Sequence, residues 1–594
     1  MRSILSLLLF ALWACQPAPV QPAPGPDAPT RILPGEVAAD RGMAVSAHPL
    51  ASEAGVEMLE AGGNAVDAAV ATAFAVGVVE PMMAGIGGSG GMLIWSQAEG
   101  RADYLDFYAR APSTLEPDAA ERRDDHPARL VAVPGTVAGL LEAHERFGVL
   151  PRERIMEPAI RLAEEGFPIS GLLARVIADD SVKLTLYEGS QELFWPEHRP
   201  LAAGERLVQS ELAAAMRRIS RDGAAGFHEG AVAREVVDVL RADGNPITTG
   251  DLAGFEPVWR RPVCGIYRGR TVLSAPPPQS GMQIVQTLHL LEATDLARHG
   301  LPPHAGAAAD ALTGALRLAT ADRMRFTADP DHELVPAAGI TSPAYARERA
   351  RLLSGSGTVP HRIEAGDPER FEQAPPSAGC EQLDPFGPAA TSGQAMGTIS
   401  PYTWSEKSEA SEGETTHIAV TDNEGNAVSL TFTQGAYFGS GVWAAGTFLN
   451  NAMAIFSDDP ESPNFLTAGR APASTTTPTI ILEEGRVRMV VGSAGGGRIP
   501  HAVVQAIVYT LDYGLTPLQA LGMPRIHPHV TAPRIQFEQG YRGEVLEALR
   551  ARGYRLEAMP PGGLYFGGVQ MIERRNGQWV GAADPRRDGE PRGH

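Results

Sequence analysis

The chain has 594 residues, 43% of them hydrophobic and 20% charged, which is enough apolar material for several domains or one large multilayer domain. Its formal net charge is −20, and no long lysine- or arginine-rich run interrupts the sequence, so nucleic acid is excluded as an expected partner. The histidines and cysteines lack the spacing of metal ligands, and the sequence suggests neither a metal site nor a cofactor.

Residues 1–15 have the pattern of a bacterial export signal. An apolar run from Ile4 to Trp13 follows a basic residue, and Cys15 stands directly after an alanine. This pattern is typical of a lipoprotein signal, in which cleavage leaves Cys15 to be acylated; a plain secretory signal is the alternative. Residues 16–39 begin with a Pro/Ala-rich stretch and are predicted to form an extended tether. Because the apolar run is shorter than the ~20 residues of a membrane span, we expect a periplasmic or outer-membrane (cell-surface) lipoprotein held only by its lipid.

The next hundred residues alternate between short strands and helices. The patterns predict strands at Met43–Ala47, Met92–Trp95 and Arg101–Phe107, and helices at Pro49–Glu60 and Asn64–Val79. The second helix is almost wholly apolar, but it is short and contains Asp67, so we expect it between the layers of a soluble fold. The glycine run from Gly85 to Gly91 precedes a strand and lacks the ending of a phosphate loop. It therefore indicates close backbone packing rather than nucleotide binding.

The remaining elements predict an α+β fold. They are, in order, a mainly helical region at 131–240, strand spacing at Val258–Thr271, a rigid loop at Pro276–Gly281 before a helix, an exposed loop at Glu364–Glu414, hairpins at 417–433, 477–491 and 564–583, and an apolar helix at Ile499–Tyr513. Hairpins and apolar helices in both halves favour helices packed on stacked, mostly antiparallel sheets. Export would permit a disulfide between Cys264 and Cys380, a question the sequence leaves open.

The most informative stretch is Glu414-Thr415-Thr416-His417. A polar Gly/Ser/Glu-rich segment runs directly into it, and a hairpin begins at His417. A loop that feeds a threonine at the start of a buried strand suits a chain that cleaves itself before Thr415. The new terminal α-amine, with an ordinary pKa of roughly 7.7–8.0, would be the general base for the Thr415 hydroxyl. We expect His417, as a strand residue, to serve packing or hydrogen bonding.

Ordered motifs over nearly all of residues 40–590 resemble the γ-glutamyltransferase (glutathione hydrolase) family of N-terminal-nucleophile hydrolases. They are Gly62-Gly-Asn-Ala-Val-Asp-Ala-Ala-Val70, Ala132-Val-Pro-Gly-Thr-Val-Ala-Gly139, Pro276-Pro-Pro-Gln-Ser-Gly281, Asp322-Arg323 with Asp329-Pro330, Thr415-Thr-His417, Pro478-Thr479, Gly492-Ser-Ala-Gly-Gly-Gly-Arg498 and Ala583-Asp-Pro-Arg586. The resemblance implies a four-layer αββα sandwich. It also implies a precursor cut at Glu414–Thr415 into a large subunit, residues 40–414, and a small catalytic subunit, residues 415–594.

The resemblance also implies roles for residues of the small subunit. Thr415 is the nucleophile, and Thr433 at the end of the paired strand orients it. Gly495 and Gly496 offer backbone N–H groups to the oxyanion, where glycine allows the reacting carbonyl to come close. Hydroxyls that bind the substrate carboxylate fall at Ser474 and Thr475; an ordinary Ser/Thr-rich loop is the alternative there.

One departure from the family pattern concerns the substrate's carboxylate. The family's carboxylate-binding arginine is Tyr108 here, and Arg110 lies two residues on, where strand alternation would point it the same way.

The other departures concern the ammonium group. Gly435, Ala452 and Ile455 stand where the family has an asparagine, a glutamine and the acidic residue that binds the α-amino group. Because an apolar side chain cannot pair with an ammonium, we expect weakened discrimination against donors that lack it, unless Asp458 or Asp459 takes over.

These observations favour a self-processing enzyme that cleaves γ-glutamyl amides through an acyl-threonine and passes the acyl group to water or an amine. One alternative is an amidase of the same fold with another acyl specificity, glutaryl or poly-γ-glutamyl. The other is an inactive exported binding lipoprotein. The expected partners are a small-molecule amide and the two subunits of one precursor.

Overall fold

The computed structural model describes residues 35–116, 118–353, 357–374, 377, 379–380, 414–560 and 563–594. The predicted signal, Cys15, most of the predicted tether and most of the polar segment before Thr415 lie outside these ranges. Within them, no helix has the length and apolar character needed to cross a membrane. Nor do three or more His, Cys, Asp or Glu side chains of the described residues converge as a metal site would require.

Two seven-stranded antiparallel sheets form the centre of the fold. The strands of sheet I, in spatial order, are Glu36–Ala39, Gln578–Ala583, Gly568–Arg575, Arg486–Ala494, Thr479–Glu483, Arg270–Ser274 and Val263–Tyr267. Those of sheet II are Glu590–Gly593, Met43–Ser46, Thr416–Thr421, Ala427–Thr433, Ser89–Ser96, Arg101–Phe107 and Val258–Arg260. The predicted hairpins supply adjacent strands of both sheets.

The inner faces of the sheets enclose one apolar layer, and helices cover both outer faces. The inner layer includes Val45, Leu93 and Trp95 of sheet II and Leu273, Val490 and Ile572 of sheet I. The helices that share a core with sheet II include Pro49–Glu60, Ala65–Val79, Thr136–Phe147, Arg152–Glu165, Gly171–Asp179, Ser210–Asp222 and Gly230–Ala242. Those over sheet I include Gly281–Ala293, Gly306–Phe326, Pro343–Ala350, Ile499–Leu511 and Gly543–Ala551. The predicted αββα sandwich is confirmed.

Smaller elements complete the fold, and the sequence patterns did not predict most of them. Three short sheets are built from Phe167–Pro168 with Arg206–Leu207, from Trp443–Ala444 with Thr447–Phe448, and from Ile526–Pro528, Arg534–Phe537 and Arg555–Ala558. Residues 36–39, assigned to the tether, instead pair with residues 579–582 at the edge of sheet I. The folded body therefore begins earlier than predicted.

The two cysteines of the described chain form a disulfide. Cys264 lies in the edge strand of sheet I, and its Cα is 5.8 Å from that of Cys380. The bridge ties Cys380, the last described residue before Glu414, to the sheet, which answers the question left open by the sequence.

The glycine run before the strand Ser89–Ser96 packs closely against the strand that ends at Thr433. A Cβ on Gly88 would lie 2.6 Å from the Thr433 carbonyl oxygen, and one on Gly85 would lie 2.6 Å from the Gln434 side chain. The prediction of close backbone packing is therefore confirmed. The contact fixes the end of the strand on which Thr433 stands.

Candidate active site

Thr415 lies immediately before the central strand Thr416–Thr421 of sheet II. In the neighbouring strand, Phe432 pairs with Thr416, and this register brings Thr433 beside Thr415. The Thr415 side chain is buried, and its Oγ1 is 2.5 Å from the Glu414 carbonyl oxygen and 3.3 Å from Thr433 Oγ1. The hydroxyl thus lies against the peptide that it is predicted to cleave.

Thr433 acts on the same peptide. Its hydroxyl donates to the Glu414 carbonyl oxygen at 2.7 Å, while the Gly435 backbone N–H donates to Thr433 Oγ1 at 2.7 Å. The Gly435 contact directs the Thr433 proton toward Glu414. A hydrogen bond to the carbonyl oxygen stabilises the negative charge that develops there when a nucleophile adds to the carbon.

Two further contacts hold the chain on the far side of the nucleophile. Arg587 Nη1 donates to the Thr415 carbonyl oxygen at 3.0 Å. The Thr416 hydroxyl donates at 2.8 Å to Glu80, which follows the C-terminus of the helix Ala65–Val79. Burial raises the pKa of Glu80 to about 7, while Arg587 and the Thr416 hydrogen bond oppose the shift. The chain that follows Thr415 is therefore held by the side chains of Arg587 and Glu80.

His417 belongs to the core of the sheet. Its ring is fully buried, Nδ1 is 2.8 Å from Thr431 Oγ1, and burial lowers its pKa to about 3. A Cβ on Gly492 would lie 2.2 Å from the ring. The expected packing and hydrogen-bonding role is confirmed.

A cavity of about 280 Å³ opens at Thr415. Its lining includes Tyr108, Arg123, Asp124, Arg323, Glu414, Thr415, Thr433, Gly435, Asn451, Ile455, Asp458, Ser474, Thr475, Gly496, Gly497 and His527. Apolar, hydroxyl-bearing and charged side chains thus surround a space suited to a small molecule.

The predicted oxyanion glycines lie where sheet I gives way to the helix Ile499–Leu511. Gly496 and Gly497 line the cavity, whereas Gly495 is absent from the described lining; a Cβ on it would lie 2.8 Å from Gly567 Cα. Gly495 has φ +134° and Gly496 φ +54°, conformations that favour glycine. Gly497 was not among the predicted residues, because three consecutive glycines give no signal as to which one faces the substrate.

Ser474 and Thr475 both line the cavity, as predicted. The loop Pro276–Gly281 holds Ser474 in place: the Ser474 N–H donates to the Pro278 carbonyl oxygen at 2.9 Å, and the Ser280 hydroxyl donates to the Ser474 carbonyl oxygen at 2.6 Å. Thr475 Oγ1 donates to the Gly496 carbonyl oxygen at 2.9 Å, which links this loop to the glycine turn.

Arg110 does not reach the cavity among the described residues, contrary to the prediction. The strand Arg101–Phe107 ends before Arg110, which instead forms an isolated β-bridge with Val133. Its guanidinium lies 3.9 Å from the fully buried carboxylate of Asp329. Strand alternation therefore fails here, and Tyr108 alone of these two residues lines the cavity.

Tyr108 is buried and contributes a neutral hydroxyl. Burial raises its pKa to about 12, and a hydrogen bond with Ser474 opposes the shift. It can therefore donate a hydrogen bond, but it supplies no charge at neutral pH.

Arg123 supplies the positive charge that the sequence analysis missed on this side of the cavity. It lies in the short turn Arg123–Asp125, between the strand Arg101–Phe107 and the helix Thr136–Phe147, and only 6% of its side chain is exposed. Nη2 donates to Asp458 at 2.6 Å, and Nη1 donates to the Phe456 carbonyl oxygen at 3.0 Å. Arg123 thus differs from ordinary surface arginines in being buried and in lining the cavity.

Another part of the lining comes from the helix Gly306–Phe326 and from His527. Arg323 lines the cavity, and His527 Nδ1 lies 2.7 Å from His501 Nδ1. Burial, reinforced by nearby positive groups that include Arg323, lowers the pKa of His501 to about 3 and that of His527 far below its usual value. Both rings are neutral near neutral pH, so neither supplies an acid there.

Comparisons with known proteins agree with this geometry. The family model described as gamma-glutamyltranspeptidase matches residues 51–594. The chain belongs to this family.

Among its relatives, a glutathione hydrolase proenzyme of Escherichia coli (strain K12) is 34% identical over 581 residues, covering 93% of this chain and 91% of that protein. The acylase ACY 1 proenzyme of Pseudomonas sp. (strain SE83) is 34% identical over 569 residues, covering 93% of each protein. The crystal structure of a cephalosporin acylase from Bacillus halodurans matches with a TM-score of 0.81 at 27% identity, covering 96% of this chain and 98% of that one. The chain is thus an enzyme of the N-terminal-nucleophile hydrolase type, as the motifs predicted.

Within this gamma-glutamyltranspeptidase chain, the positions that depart from the family pattern have different surroundings. Ala452 is buried in an apolar cluster that contains Tyr108. Ile455 lines the cavity. Gly435 has φ +94°, and a Cβ there would lie 1.7 Å from Asn451 Oδ1. Asn451, which also lines the cavity, therefore occupies the space that a side chain at position 435 would need.

Proposed function

We propose that this enzyme matures by cleaving Glu414–Thr415 and then uses Thr415 to cleave γ-glutamyl amides. The observation that carries the proposal is the convergence of the Thr415 and Thr433 hydroxyls on the Glu414 carbonyl oxygen at the wall of the cavity. Residues 40–414 would form the large subunit and residues 415–594 the small one.

In maturation, Thr415 Oγ1 attacks the Glu414 carbonyl carbon, and the peptide nitrogen leaves with the proton that the hydroxyl gives up, which converts the amide to an ester. The Thr433 hydroxyl stabilises the oxyanion, and water hydrolyses the ester. The products are a Glu414 carboxylate and a Thr415 residue with a free α-amine and a free hydroxyl. The strand contacts of Thr416 keep the new terminus in the sheet.

In turnover, the α-amine of Thr415 accepts the proton from its own hydroxyl as Oγ1 adds to the donor amide carbonyl. The Gly496 backbone N–H is our candidate for oxyanion binding, with Ser474 and Thr475 as candidate donors to the substrate carboxylate. The Thr475 hydroxyl would have to turn away from the Gly496 carbonyl oxygen to which it donates in this structure. The amine leaves with the proton, and water or another amine attacks the acyl-threonine. The first route is hydrolysis, and the second is transfer.

An acylase with another acyl specificity is the second candidate. Ile455 at the cavity and the similarity to the acylase ACY 1 proenzyme favour it. A panel of γ-glutamyl, glutaryl and poly-γ-glutamyl amides, assayed on the purified processed protein with and without an amino acid acceptor, separates the candidates. We expect the γ-glutamyl amides to be turned over fastest. Faster turnover of glutaryl amides would favour the acylase. A protein that stays uncleaved, with a single band on a denaturing gel, and turns over no amide would favour a binding protein.

We further propose that the protein is exported and anchored through Cys15, on the strength of the sequence pattern around that residue. Membrane fractionation of the wild type and of Cys15→Ser tests this. The wild type should sediment with membranes and the variant should be soluble, whereas an unacylated, fully soluble wild type would contradict the anchor.

A further inference from the structure

Arg123 and Asp458 form an ion pair on the wall of the cavity that also contains Thr415. The guanidinium is almost fully buried, whereas 60% of the Asp458 side chain is exposed. Arg123 Nε has no hydrogen-bond partner among the described residues, and its nearest carboxylate besides Asp458 is Asp124, 3.7 Å away. The pair therefore places a positive and a negative group side by side, and both line the cavity.

This arrangement is complementary to a zwitterion. A ligand with a carboxylate and an ammonium on the same carbon can lie antiparallel to the pair, with each of its charges facing the opposite one. A guanidinium has five N–H donors. The contacts to Asp458 and Phe456 use one N–H each, from Nη2 and Nη1. The planar fork also suits a carboxylate better than a point charge would.

Asp458 is distinguished from its neighbour by geometry. Asp459 does not line the cavity in the described structure; its carboxylate accepts from the Glu461 backbone N–H at 3.0 Å, and its own N–H donates to Ser457. Asp459 therefore serves a local turn, whereas Asp458 faces the cavity from the same segment. The two adjacent aspartates form a matched pair for mutation.

We propose that Arg123 and Asp458 bind the head group of the acyl donor, Arg123 its carboxylate and Asp458 its ammonium. The assignment rests on the proposed function and specifies its substrate class: an amide whose acyl chain ends in an α-amino acid group. Asp458 would then bind the ammonium in place of the acidic residue that the family pattern has at position 455. The wild type should then prefer γ-glutamyl over glutaryl donors, despite Ile455 and Ala452.

The test uses the processed enzyme and three p-nitroanilides: L-γ-glutamyl, glutaryl, which lacks the ammonium, and 4-aminobutyryl, which lacks the carboxylate. Loss of a charge-assisted hydrogen bond typically weakens binding roughly tenfold to a hundredfold. Asp458→Asn should therefore lower kcat/KM for the γ-glutamyl donor by about that factor and leave the glutaryl value nearly unchanged. Asp459→Asn, the matched control, should change neither.

Arg123→Gln provides the reciprocal measurement. It should lower kcat/KM for the γ-glutamyl and glutaryl donors and spare the 4-aminobutyryl donor. Because Arg123 also binds the Phe456 carbonyl oxygen, its variant is checked for maturation on a denaturing gel; if it fails to mature, the donor ratios of Asp458→Asn decide alone.

The outcomes separate this assignment from the proposed function. If Asp458→Asn turns over the three donors with the same ratios of kcat/KM as the wild type, the head-group assignment is overturned and the proposed function still stands. The same loss in Asp124→Asn, but not in Asp458→Asn, overturns it in favour of the neighbouring carboxylate. Failure of the processed wild type to turn over any of the three donors contradicts the proposed function, and the assignment with it.

Discussion

The Thr433 hydroxyl donates to the carbonyl oxygen of Glu414 at 2.7 Å, directly on the peptide that Thr415 is positioned to attack. Removing an oxyanion donor of this kind typically slows acyl transfer by roughly 10²–10³-fold. Thr433→Val keeps the shape and removes the hydroxyl, so the precursor should split more slowly by about that factor. The rate is measured from the appearance of two fragments on a denaturing gel.

Thr433→Ser is the matched control, because it keeps the hydroxyl and should split close to the wild-type rate. Equal rates for Thr433→Val and the wild type would show that Thr433 plays no part in maturation.

Glu80 should make stability depend on pH. Its pKa is raised from 4.5 to about 7 in the folded protein, so between these values the folded state holds a proton that the unfolded state releases. The contribution is therefore fully present below about pH 4.5 and is lost as pH rises through about 7. The free energy of unfolding should change by on the order of 3 kcal/mol across this pH range.

Glu80→Gln removes this titration while the amide oxygen can still accept from Thr416. The melting temperature of the variant should consequently fall less than that of the wild type as pH is raised through this range. Parallel curves for the two proteins would rule out titration of Glu80 as the cause.

The disulfide between Cys264 and Cys380 should stabilise the mature protein. The bridge spans 116 positions, and closing a loop of that length stabilises by up to about 5 kcal/mol in the chain-entropy description. A Cys264→Ser/Cys380→Ser protein should melt at a lower temperature than the wild type, measured by differential scanning calorimetry without reductant. The wild type with reductant should approach the variant; an unchanged melting temperature in both cases would contradict a stabilising role.

Ile455→Asp provides a rescue test of the head-group assignment. Ile455 lines the same cavity as Asp458, and an aspartate there would introduce a carboxylate within the same binding space. In an Asp458→Asn background, the change should restore part of the preference for γ-glutamyl over glutaryl donors. The readout is the ratio of the two kcat/KM values; a ratio that stays at the Asp458→Asn value argues that position 455 lies out of reach of the ammonium.

Local patterns predicted the hairpins and helices of the stacked sheets, and the resemblance to the family supplied the four-layer order. A hairpin with strict alternation fixes its own register, and that register brings Thr433 beside Thr415. The long-range disulfide and the edge strand Glu36–Ala39 depend on contacts between distant segments, which periodicity cannot reveal.

The positions of two arginines were predicted poorly, each for its own physical reason. Alternation was extended past Phe107, where sheet pairing ends, so Arg110 was placed in the cavity although it lies beside Asp329. Arg123 belongs to the charged run Glu121–Asp125, which in sequence is indistinguishable from a solvated surface turn. The folded structure shows that Arg123 is buried, pairs with Asp458 and lines the cavity.

The most direct test of the account is the intact mass of the purified protein. The wild type should give two fragments, the smaller beginning at Thr415, and Thr415→Ala should remain a single chain without amidase activity. A wild-type fragment that begins at another residue, or a Thr415→Ala protein that still splits at this peptide, would contradict the assignment of Thr415 as the nucleophile.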